Sequence, residues 1–160
     1  MPIHEQQTKT NILRFAAQFP FFNLIGLKVL DIEPGWSKTR VTWRDDLAQP
    51  FGVMHGGVIA SLIDTGIAHA LLLTEAFDRL RREKGALVSI DLRVKYFRPV
   101  SEGSLICEST IPRMGRQIIH AESIVTNDGG KEVARGDSIY MIVPGNQLQK
   151  RRNAGGNTDS

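Results

Sequence analysis

Cysteine is the scarcest reactive residue of this sequence, which contains only Cys107 among its 160 residues. A single cysteine excludes an internal disulfide and a cysteine-based zinc site, while a free thiol stays open. The flanking segment SLICEST is typical of a strand, so we interpret Cys107 as a small buried hydrophobic residue. The four histidines are scattered along the chain, and we expect neither a metal site nor a cofactor.

Long apolar runs are also missing, since no stretch reaches the ~18 continuous apolar residues of a membrane span. The N-terminal segment MPIHEQQTKTNILRFAAQF mixes charges and amides where a signal peptide needs an apolar stretch. The formal net charge is only +3, and the last residues supply +2 of it through Lys150, Arg151 and Arg152 against Asp159. We therefore expect a cytoplasmic protein that binds neither membranes nor nucleic acids.

What is present is the composition of an ordinary folded domain, with 41% hydrophobic and 23% charged residues. The length is enough for one domain with a substantial core. Residues 1–145 are predicted to form this single domain, because no internal repeat or second domain is visible. The Gly- and Asn-rich segment 146–160 has too few apolar residues to fold alone and is predicted to be a mobile polar tail.

Hydrophobic periodicity predicts two helices and six strands. Apolar residues at helical spacing before Pro20 predict an N-terminal helix over residues 5–19, and a longer helix is predicted over residues 56–76. The segments LKVLDIEPG and SKTRVTWR alternate around a turn and predict a hairpin. Four further strands are predicted from ALVSIDLRVKYFRPV, GSLICESTIPR, RQIIHAESIVTN and KEVARGDSIYMIV. In the first of these, an apolar face is predicted for Val88, Ile90, Leu92, Val94 and Tyr96.

The longer helix carries apolar residues in nearly every direction, a pattern that indicates a buried helix. An antiparallel sheet with one apolar face needs a cover, and this helix is the only candidate of sufficient length. The predicted fold class is therefore α+β, with the sheet wrapped around one long central helix and an N-terminal helix added. A narrow polar stripe runs along the central helix and consists of Ser61, Asp64, Thr65 and Ala68.

Two features of this helix indicate chemistry. The segment His55-Gly56-Gly57 leaves backbone N–H groups uncovered at the helix start, where the helix dipole favours negative charge, although paired glycines also serve sharp turns. Asp64 has two interpretations: a structural acid that is hydrogen-bonded inside the fold, or a catalytic base or nucleophile. The second fits acyl transfer to water, which needs a carboxylate together with backbone N–H donors. Gly56 and Asp64 are separated by roughly 12 Å along one helix. Two helices packed antiparallel about a two-fold axis would bring both groups to one carbonyl, which predicts a dimer.

The segment QPFGVMHGGVIASLID, followed by VSIDLRVKYFRPV, resembles the hotdog-fold acyl-CoA thioesterases of the phenylacetate-degradation type. The resemblance covers about residues 25–143. It implies an antiparallel sheet around a long helix, an acyl-CoA substrate, and a homodimer that in many members pairs into a homotetramer.

The resemblance also implies roles for particular residues. Asp64, nine residues after the histidine, matches the general base or nucleophile. Gly56 matches the residue whose backbone N–H donates to the oxyanion, and the neighbouring Gly57 is expected to contact the substrate. His55 orders the loop or polarises the carbonyl. Ser89 matches a serine that holds water in some members, although a serine on a polar strand face needs no function. Gln49 stands where many members of this branch have asparagine, and other hotdog thioesterases use glutamine there on the thioester carbonyl.

Three arginines and one further histidine are also considered for the site. Arg98, Arg113 and Arg116 match strand ends where the family holds the nucleotide of coenzyme A, although most surface arginines are only solvated charges. His69 points about 140° away from Asp64 on the same helix and is interpreted as a packed or interface histidine.

A thioester is a sensible substrate because a thiol leaving group departs as thiolate without a strong general acid. The predicted acyl group is aryl or medium-chain, in a tunnel built from Phe51, Met54, Leu62 and the N-terminal helix. One alternative is a non-catalytic acyl-CoA sensor of the same fold, which would not need Asp64 as a base. A hotdog hydratase ranks third, because HGGVIASLID does not place a histidine and an acid on one helix turn.

Overall fold

The structure, a computed structural model, describes residues 8–146 of the chain. Its helices are α1 (Lys9–Ala16), α2 (Pro20–Ile25), α3 (Gly56–Leu71) and α4 (Glu75–Arg82), with one 3-10 turn at Asp45–Leu47. Its strands are β1 (Lys28–Glu33), β2 (Trp36–Thr42), β3 (Ala86–Tyr96), β4 (Ser104–Met114), β5 (Ile118–Asn127) and β6 (Glu132–Val143). The strands form one sheet in the order β1-β2-β4-β5-β6-β3, and every neighbouring pair is antiparallel.

One face of the sheet packs on α3, which confirms the predicted α+β architecture. Small polar residues line the sheet beneath the middle of the helix, namely Ser37, Thr39, Cys107, Ser109 and Ser123, all buried. Ser37 Oγ donates a hydrogen bond to the carbonyl oxygen of Gly66 over 2.7 Å. A Cβ atom on Gly66 would lie 2.5 Å from Ser109 Oγ, so the absence of a side chain lets the helix backbone approach the sheet closely.

The side of α3 that faces away from the sheet is open. Gly57 is exposed, and Ser61, Asp64 and Ala68 are half-exposed, so these residues form a stripe at helical spacing that no other part of the described chain covers fully. Thr65 differs from the predicted stripe, since it is only 7% exposed and belongs to the packed side. The open stripe therefore lacks Thr65, extends back to Gly57 and contains Asp64.

The central helix is shorter than predicted. It ends at Leu71, and α4 follows as a separate helix instead of a continuation to residue 76. Thr74 makes the break, because its hydroxyl donates to the Leu71 carbonyl and accepts from Phe77 N–H as the N-cap of α4. The sequence contained this signal in Thr74, the acidic first turn and the basic last turn of α4.

Within residues 8–146 no single helix is long and apolar enough to cross a membrane. The helices α3 and α4 reach the required length and hydropathy only as a pair that is bent by 81°.

The N-terminal helix is also divided. Helix α1 ends at Ala16, and Pro20 starts α2 as its first residue, where a proline fits because that N–H has no helical partner. Lys9 joins α1 to β1 through ion pairs with Asp31 and Glu33 at 2.5 and 2.7 Å. The first part of the predicted helix and nearly all of the predicted mobile tail lie outside the described residues.

Strand β3 departs most from its predicted burial. It is an edge strand that pairs only with β6, and the ladder shifts register between Ser89 and Asp91. Its predicted apolar face is largely exposed to solvent in the single chain, and Ile90 is the most exposed residue of that face, at 52%. The sequence predicted a half-buried strand with these side chains on one face; of them Val94 packs against the core, as Leu87 does, whereas Val88, Ile90 and Leu92 are exposed. The prediction of one continuous apolar face was wrong, because the register shift between Ser89 and Asp91 changes which residues face the core on either side of it.

Candidate active site

The start of α3 lies at a cleft of about 490 Å³ that we call the donor cleft. It is lined by Gln49, His55, Gly56, Tyr96 and Arg98 together with neighbouring apolar residues. Three of the residues that the sequence predicted for the reaction, Gln49, His55 and Gly56, are therefore brought together, and Arg98 joins them. Their common feature is that each can offer an N–H group to a ligand.

His55 prepares the helix start for this role. It is the N-cap of α3, and its Nδ1 accepts a hydrogen bond from Gly57 N–H over 2.9 Å. An Nδ1 that accepts this bond leaves Nε2 as the protonated nitrogen of the neutral ring. The Gly57 N–H is thereby used within the chain, whereas the Gly56 N–H has no acceptor among the described residues. The free donor at the helix start is therefore the Gly56 N–H.

Gln49 is oriented by its own loop. Its Oε1 accepts a hydrogen bond from the Phe51 backbone N–H over 3.0 Å, and its backbone N–H donates to the Val53 carbonyl over 2.8 Å. With the amide oxygen oriented toward Phe51 N–H, the NH₂ group of this side chain is left to donate to a ligand. A glutamine at this position therefore suits binding of a carbonyl oxygen.

Tyr96 closes the donor cleft from β3. Its hydroxyl donates to the Gly56 carbonyl oxygen over 3.0 Å, so the last residue of an edge strand fixes the first residue of α3. Partial burial raises the pKa of this phenol, which remains a donor at neutral pH. Sequence reasoning assigned Tyr96 only to the apolar face of the strand and missed this contact.

Asp64 lies on the open stripe of α3, away from the donor cleft, in a group that we call the carboxylate site. This site consists of Asp64, Ser89 and Tyr140. Tyr140 is only 5% exposed, and its hydroxyl donates to Asp64 Oδ1 over 2.8 Å. Burial, and then the neighbouring Asp64 carboxylate, raise the pKa of Tyr140 far above its usual range, with a smaller opposing effect from Ser89. The phenol is therefore a permanent donor to the carboxylate.

Ser89 enters the carboxylate site from the neighbouring strand. It is the register partner of Tyr140, and its Oγ lies 3.3 Å from Ser138 Oγ. Ser138 in turn donates to the Asp91 carbonyl over 2.6 Å, which holds the irregular part of β3 beside β6. The structure thus brings Ser89 to Tyr140, the residue that contacts Asp64.

The donor cleft and the carboxylate site occupy different parts of one helix. Gly56 is the first residue of α3, and Asp64 follows eight residues later, which gives the predicted separation of roughly 12 Å along the axis. One straight helix cannot bring both groups to the same carbonyl. Within one described chain the donor cleft and the carboxylate site are therefore two separate halves of the candidate site.

The remaining predicted residues lie elsewhere. Arg113 and Arg116 line a separate pocket of about 950 Å³, with Arg79 of α4 and His120 of β5. His69 is packed, as predicted, since it is 8% exposed and lies 5.7 Å from the Phe22 ring.

The residues suggested for an acyl tunnel do not form one in the single chain. Met54 and Leu62 are buried in the core, whereas Phe51 is 89% exposed, so these side chains do not share a cavity. Phe51 is separated from the other two because a tight loop between Gln49 and Val53 turns it outwards.

Tyr140 is the site residue that sequence reasoning missed, and 76 positions separate it from Asp64. The alternation of β6 indicates that Tyr140 is buried, because every second residue of this segment, including Ser138 and Ile142, faces the core. A buried tyrosine needs a partner for its hydroxyl, so a tyrosine in this phase indicates a polar contact inside the fold. The sequence pattern did not reveal which residue provides that contact.

An antiparallel sheet around a central helix that carries N–H donors at its start and a carboxylate in its middle defines a hotdog-fold thioester hydrolase. The sequence profile of the Thioesterase superfamily matches residues 51–134, a range that contains Gly56 and Asp64 but neither Gln49 nor Tyr140. The chain belongs to this superfamily.

Individual relatives agree with this assignment. A medium/long-chain acyl-CoA thioesterase of Salmonella typhimurium is 26% identical over 147 residues, which are 86% of this chain and 95% of that protein. A conserved protein of Pseudomonas aeruginosa has a similar structure, with a TM-score of 0.72 and 26% identity over 81% of this chain and 98% of that one. A mutant of the phenylacetic acid degradation protein PaaI of Thermus thermophilus matches with a TM-score of 0.65 and 27% identity, covering 77% and 98% of the two chains.

Proposed function

We propose that this protein hydrolyses acyl-CoA thioesters with an aryl or medium-chain acyl group to the free acid and coenzyme A. The observation that carries the proposal is the division of α3 into a donor end at Gly56 and a carboxylate at Asp64. The relative from Salmonella typhimurium, whose name gives medium/long-chain acyl-CoA as its substrate, supports the coenzyme A thioester and an aliphatic chain. The similarity to PaaI, which is named for phenylacetic acid degradation, supports an aryl group.

In the proposed reaction the thioester carbonyl oxygen binds in the donor cleft. Gly56 N–H and the Gln49 amide donate to this oxygen, and His55 Nε2–H orders or polarises the same group. Negative charge that develops on the oxygen is stabilised there by the N–H donors and by the start of the helix dipole.

Asp64 then supplies the base or the nucleophile. As a base, it removes a proton from water while the water oxygen bonds to the carbonyl carbon, and Ser89 holds that water. As a nucleophile, its carboxylate oxygen forms an anhydride that water later cleaves. In both routes the carbon–sulfur bond breaks, the sulfur leaves as thiolate, and the thiolate then takes up a proton. The reaction needs no metal or cofactor, because a thiolate is a good leaving group and coenzyme A is part of the substrate.

Both routes require a second copy of the chain, and we propose a homodimer. The carbonyl in one donor cleft must meet the Asp64 of the partner chain, since roughly 12 Å of helix separates the groups within one chain. The open stripe of α3 and the exposed apolar face of β3 are the surfaces that such pairing would cover. Pairing of two such dimers into a homotetramer is part of the same proposal.

The nucleotide end of coenzyme A is assigned to arginines. Arg98 stands at the donor cleft, and Arg113 and Arg116 line their own pocket with Arg79. Guanidinium groups are suited to phosphate oxygens because they offer several N–H donors in one plane.

A steady-state screen tests the proposed function. Purified protein is mixed with aryl-, short-, medium- and long-chain acyl-CoA thioesters, and release of the thiol is followed with a disulfide reporter. We expect turnover above background with at least one aryl or medium-chain substrate. If all substrates give only background rates while acyl-CoA still binds, the protein is a sensor, and the hydrolase proposal is wrong.

A further inference from the structure

Among the described residues, Tyr140 is the one that donates a hydrogen bond to the side chain of Asp64. The hydroxyl lies 2.8 Å from Asp64 Oδ1 and 3.4 Å from the backbone oxygen of the same residue, so the carboxylate is the better acceptor. A hydrogen bond to a charged oxygen is shorter and stronger than one between neutral groups. The contact therefore links the side chain of Asp64 on α3 directly to strand β6 of the sheet.

The ring that carries this hydroxyl is rigidly held. Tyr140 lies on β6 between two hydrogen-bonded strands, with Ile119 of β5 and Ser89 of β3 as its register partners. Its side chain is 5% exposed, and Ile119 beside it is 1% exposed. A buried ring in the interior of a sheet has little freedom to rotate, so its hydroxyl marks a fixed point in the molecule.

Asp64 needs such a fixed point. It lies on the open stripe of α3, where it is half-exposed and no ion pair holds it within the described residues. Free rotation about its side-chain bonds would spread both carboxylate oxygens over several positions. A misplacement of about 1 Å at a reacting group costs on the order of 100-fold in rate.

We infer that Tyr140 is a positioning residue for Asp64, holding Oδ1 so that Oδ2 is the oxygen presented to the thioester or its attacking water. This inference rests on the proposed function, because it assigns Tyr140 a task in thioester hydrolysis. Tyr140 itself does not touch the substrate. Its hydroxyl is occupied by the carboxylate, and its ring belongs to the core.

The first test separates turnover from binding. Tyr140→Phe keeps the buried ring and removes only the hydroxyl, so we expect kcat to fall about 10-fold while KM stays within about two-fold of wild type. Ile119→Val is the matched control, since it loosens packing beside Tyr140 without removing a polar contact, and its kcat should stay close to wild type. Unchanged kcat in Tyr140→Phe, or an equal loss in Ile119→Val, overturns the inference.

The second test reads the contact without any activity. The chain has two tyrosines, so protein labelled with fluorotyrosine gives two fluorine NMR resonances, which Tyr96→Phe and Tyr140→Phe assign. We expect Asp64→Asn to move the Tyr140 resonance and to leave that of Tyr96 in place. An unmoved Tyr140 resonance overturns the inference even if Tyr140→Phe does not fold. If the resonance moves but no thioester is hydrolysed, the contact is real, and the proposed function is what has failed.

Discussion

The donor cleft and the carboxylate site are built on the same helix with opposite physical properties. The donor cleft is open, and its key group is the backbone N–H of Gly56, which has no titratable proton near neutral pH. The carboxylate site is closed on one side by the ring of Tyr140, and its key group is an acid whose orientation depends on another side chain. The main donor of the first half is therefore set by the helix backbone, with side chains only supporting it, whereas the acid of the second half is itself a side chain held by another side chain of the sheet.

Replacement of the acid itself is expected to have the largest effect. Asp64→Asn should lower kcat by at least ~100-fold, because it removes the base or nucleophile and leaves the donor cleft intact. Stability should change little, since the amide oxygen of asparagine can accept the same hydrogen bond from Tyr140. Steady-state thioester hydrolysis and thermal unfolding measure the two effects.

Asp78→Asn is the matched control for this variant. Asp78 lies in the first turn of α4, away from both halves of the site, and the substitution makes the same chemical change. Its kcat should equal that of wild type. An Asp64→Asn enzyme within a few-fold of wild type would remove Asp64 from the mechanism and reduce the carboxylate site to a structural contact.

Mixing of two variants, each damaged in a different half, tests whether the two halves come from different chains. Gln49→Ala damages only the donor cleft and Asp64→Asn only the carboxylate site, so a hybrid dimer holds one site with both defects and one with neither. With random exchange of equal amounts, half of the dimers are hybrids, and about a quarter of all sites should be intact. The measurement is hydrolysis after partial denaturation and refolding of the mixture.

Each variant refolded alone serves as the control, and mass spectrometry verifies that subunits have exchanged. Activity no higher than in these controls, despite exchange, would mean that each site lies within a single chain. That result would contradict the pairing of Asp64 with the Gly56 of a partner.

The sequence predicted which residues lie together in the donor cleft better than it did for the carboxylate site, and the reason is physical. His55, Gly56 and Gln49 are close in the sequence, so the cap and loop that join them leave a local pattern. The contact of Tyr140 with Asp64 depends on how β6 lies against α3, which no local pattern specifies.

The fold shows the same distinction between local and long-range information. Alternation of side chains identified the six strands, but it could not reveal that β3 lies at the edge of the sheet with Val88 and Ile90 exposed. Strand order depends on pairing between distant segments, and burial follows from that order. The break between α3 and α4, in contrast, was encoded locally at Thr74 and was overlooked.

Alkaline unfolding distinguishes the tyrosines of the two halves. Above about pH 10 tyrosines of the unfolded chain lose their protons, whereas folded Tyr140 keeps its proton because its pKa is raised. The unfolded state then binds fewer protons than the native state, so the free energy of unfolding falls as pH rises. For one such group the slope reaches about 1.4 kcal/mol per pH unit.

We expect Tyr140→Phe to lose free energy of unfolding less steeply above about pH 10 than wild type does. Tyr96→Phe should flatten the curve less, because Tyr96 is 51% exposed and solvent weakens the shift of its pKa. Urea unfolding at a series of pH values measures the slopes, with values near pH 8 as the common reference. Parallel curves for wild type and Tyr140→Phe would contradict the burial of this phenol in the native state.

The smallest effect is expected for the hydroxyl that supports the donor cleft. Tyr96→Phe removes the hydrogen bond to the Gly56 carbonyl, a neutral acceptor at a half-exposed position, so kcat should fall only about three-fold. Helical geometry and the His55 cap still hold the Gly56 N–H in place. Tyr96→Leu, which also removes the ring packed against Gly56, should cost more and separates the two contributions. If Tyr96→Phe instead reduced kcat as strongly as Tyr140→Phe, the donor cleft would depend on side-chain support just as the carboxylate site does, and the contrast between backbone and side-chain control would be wrong.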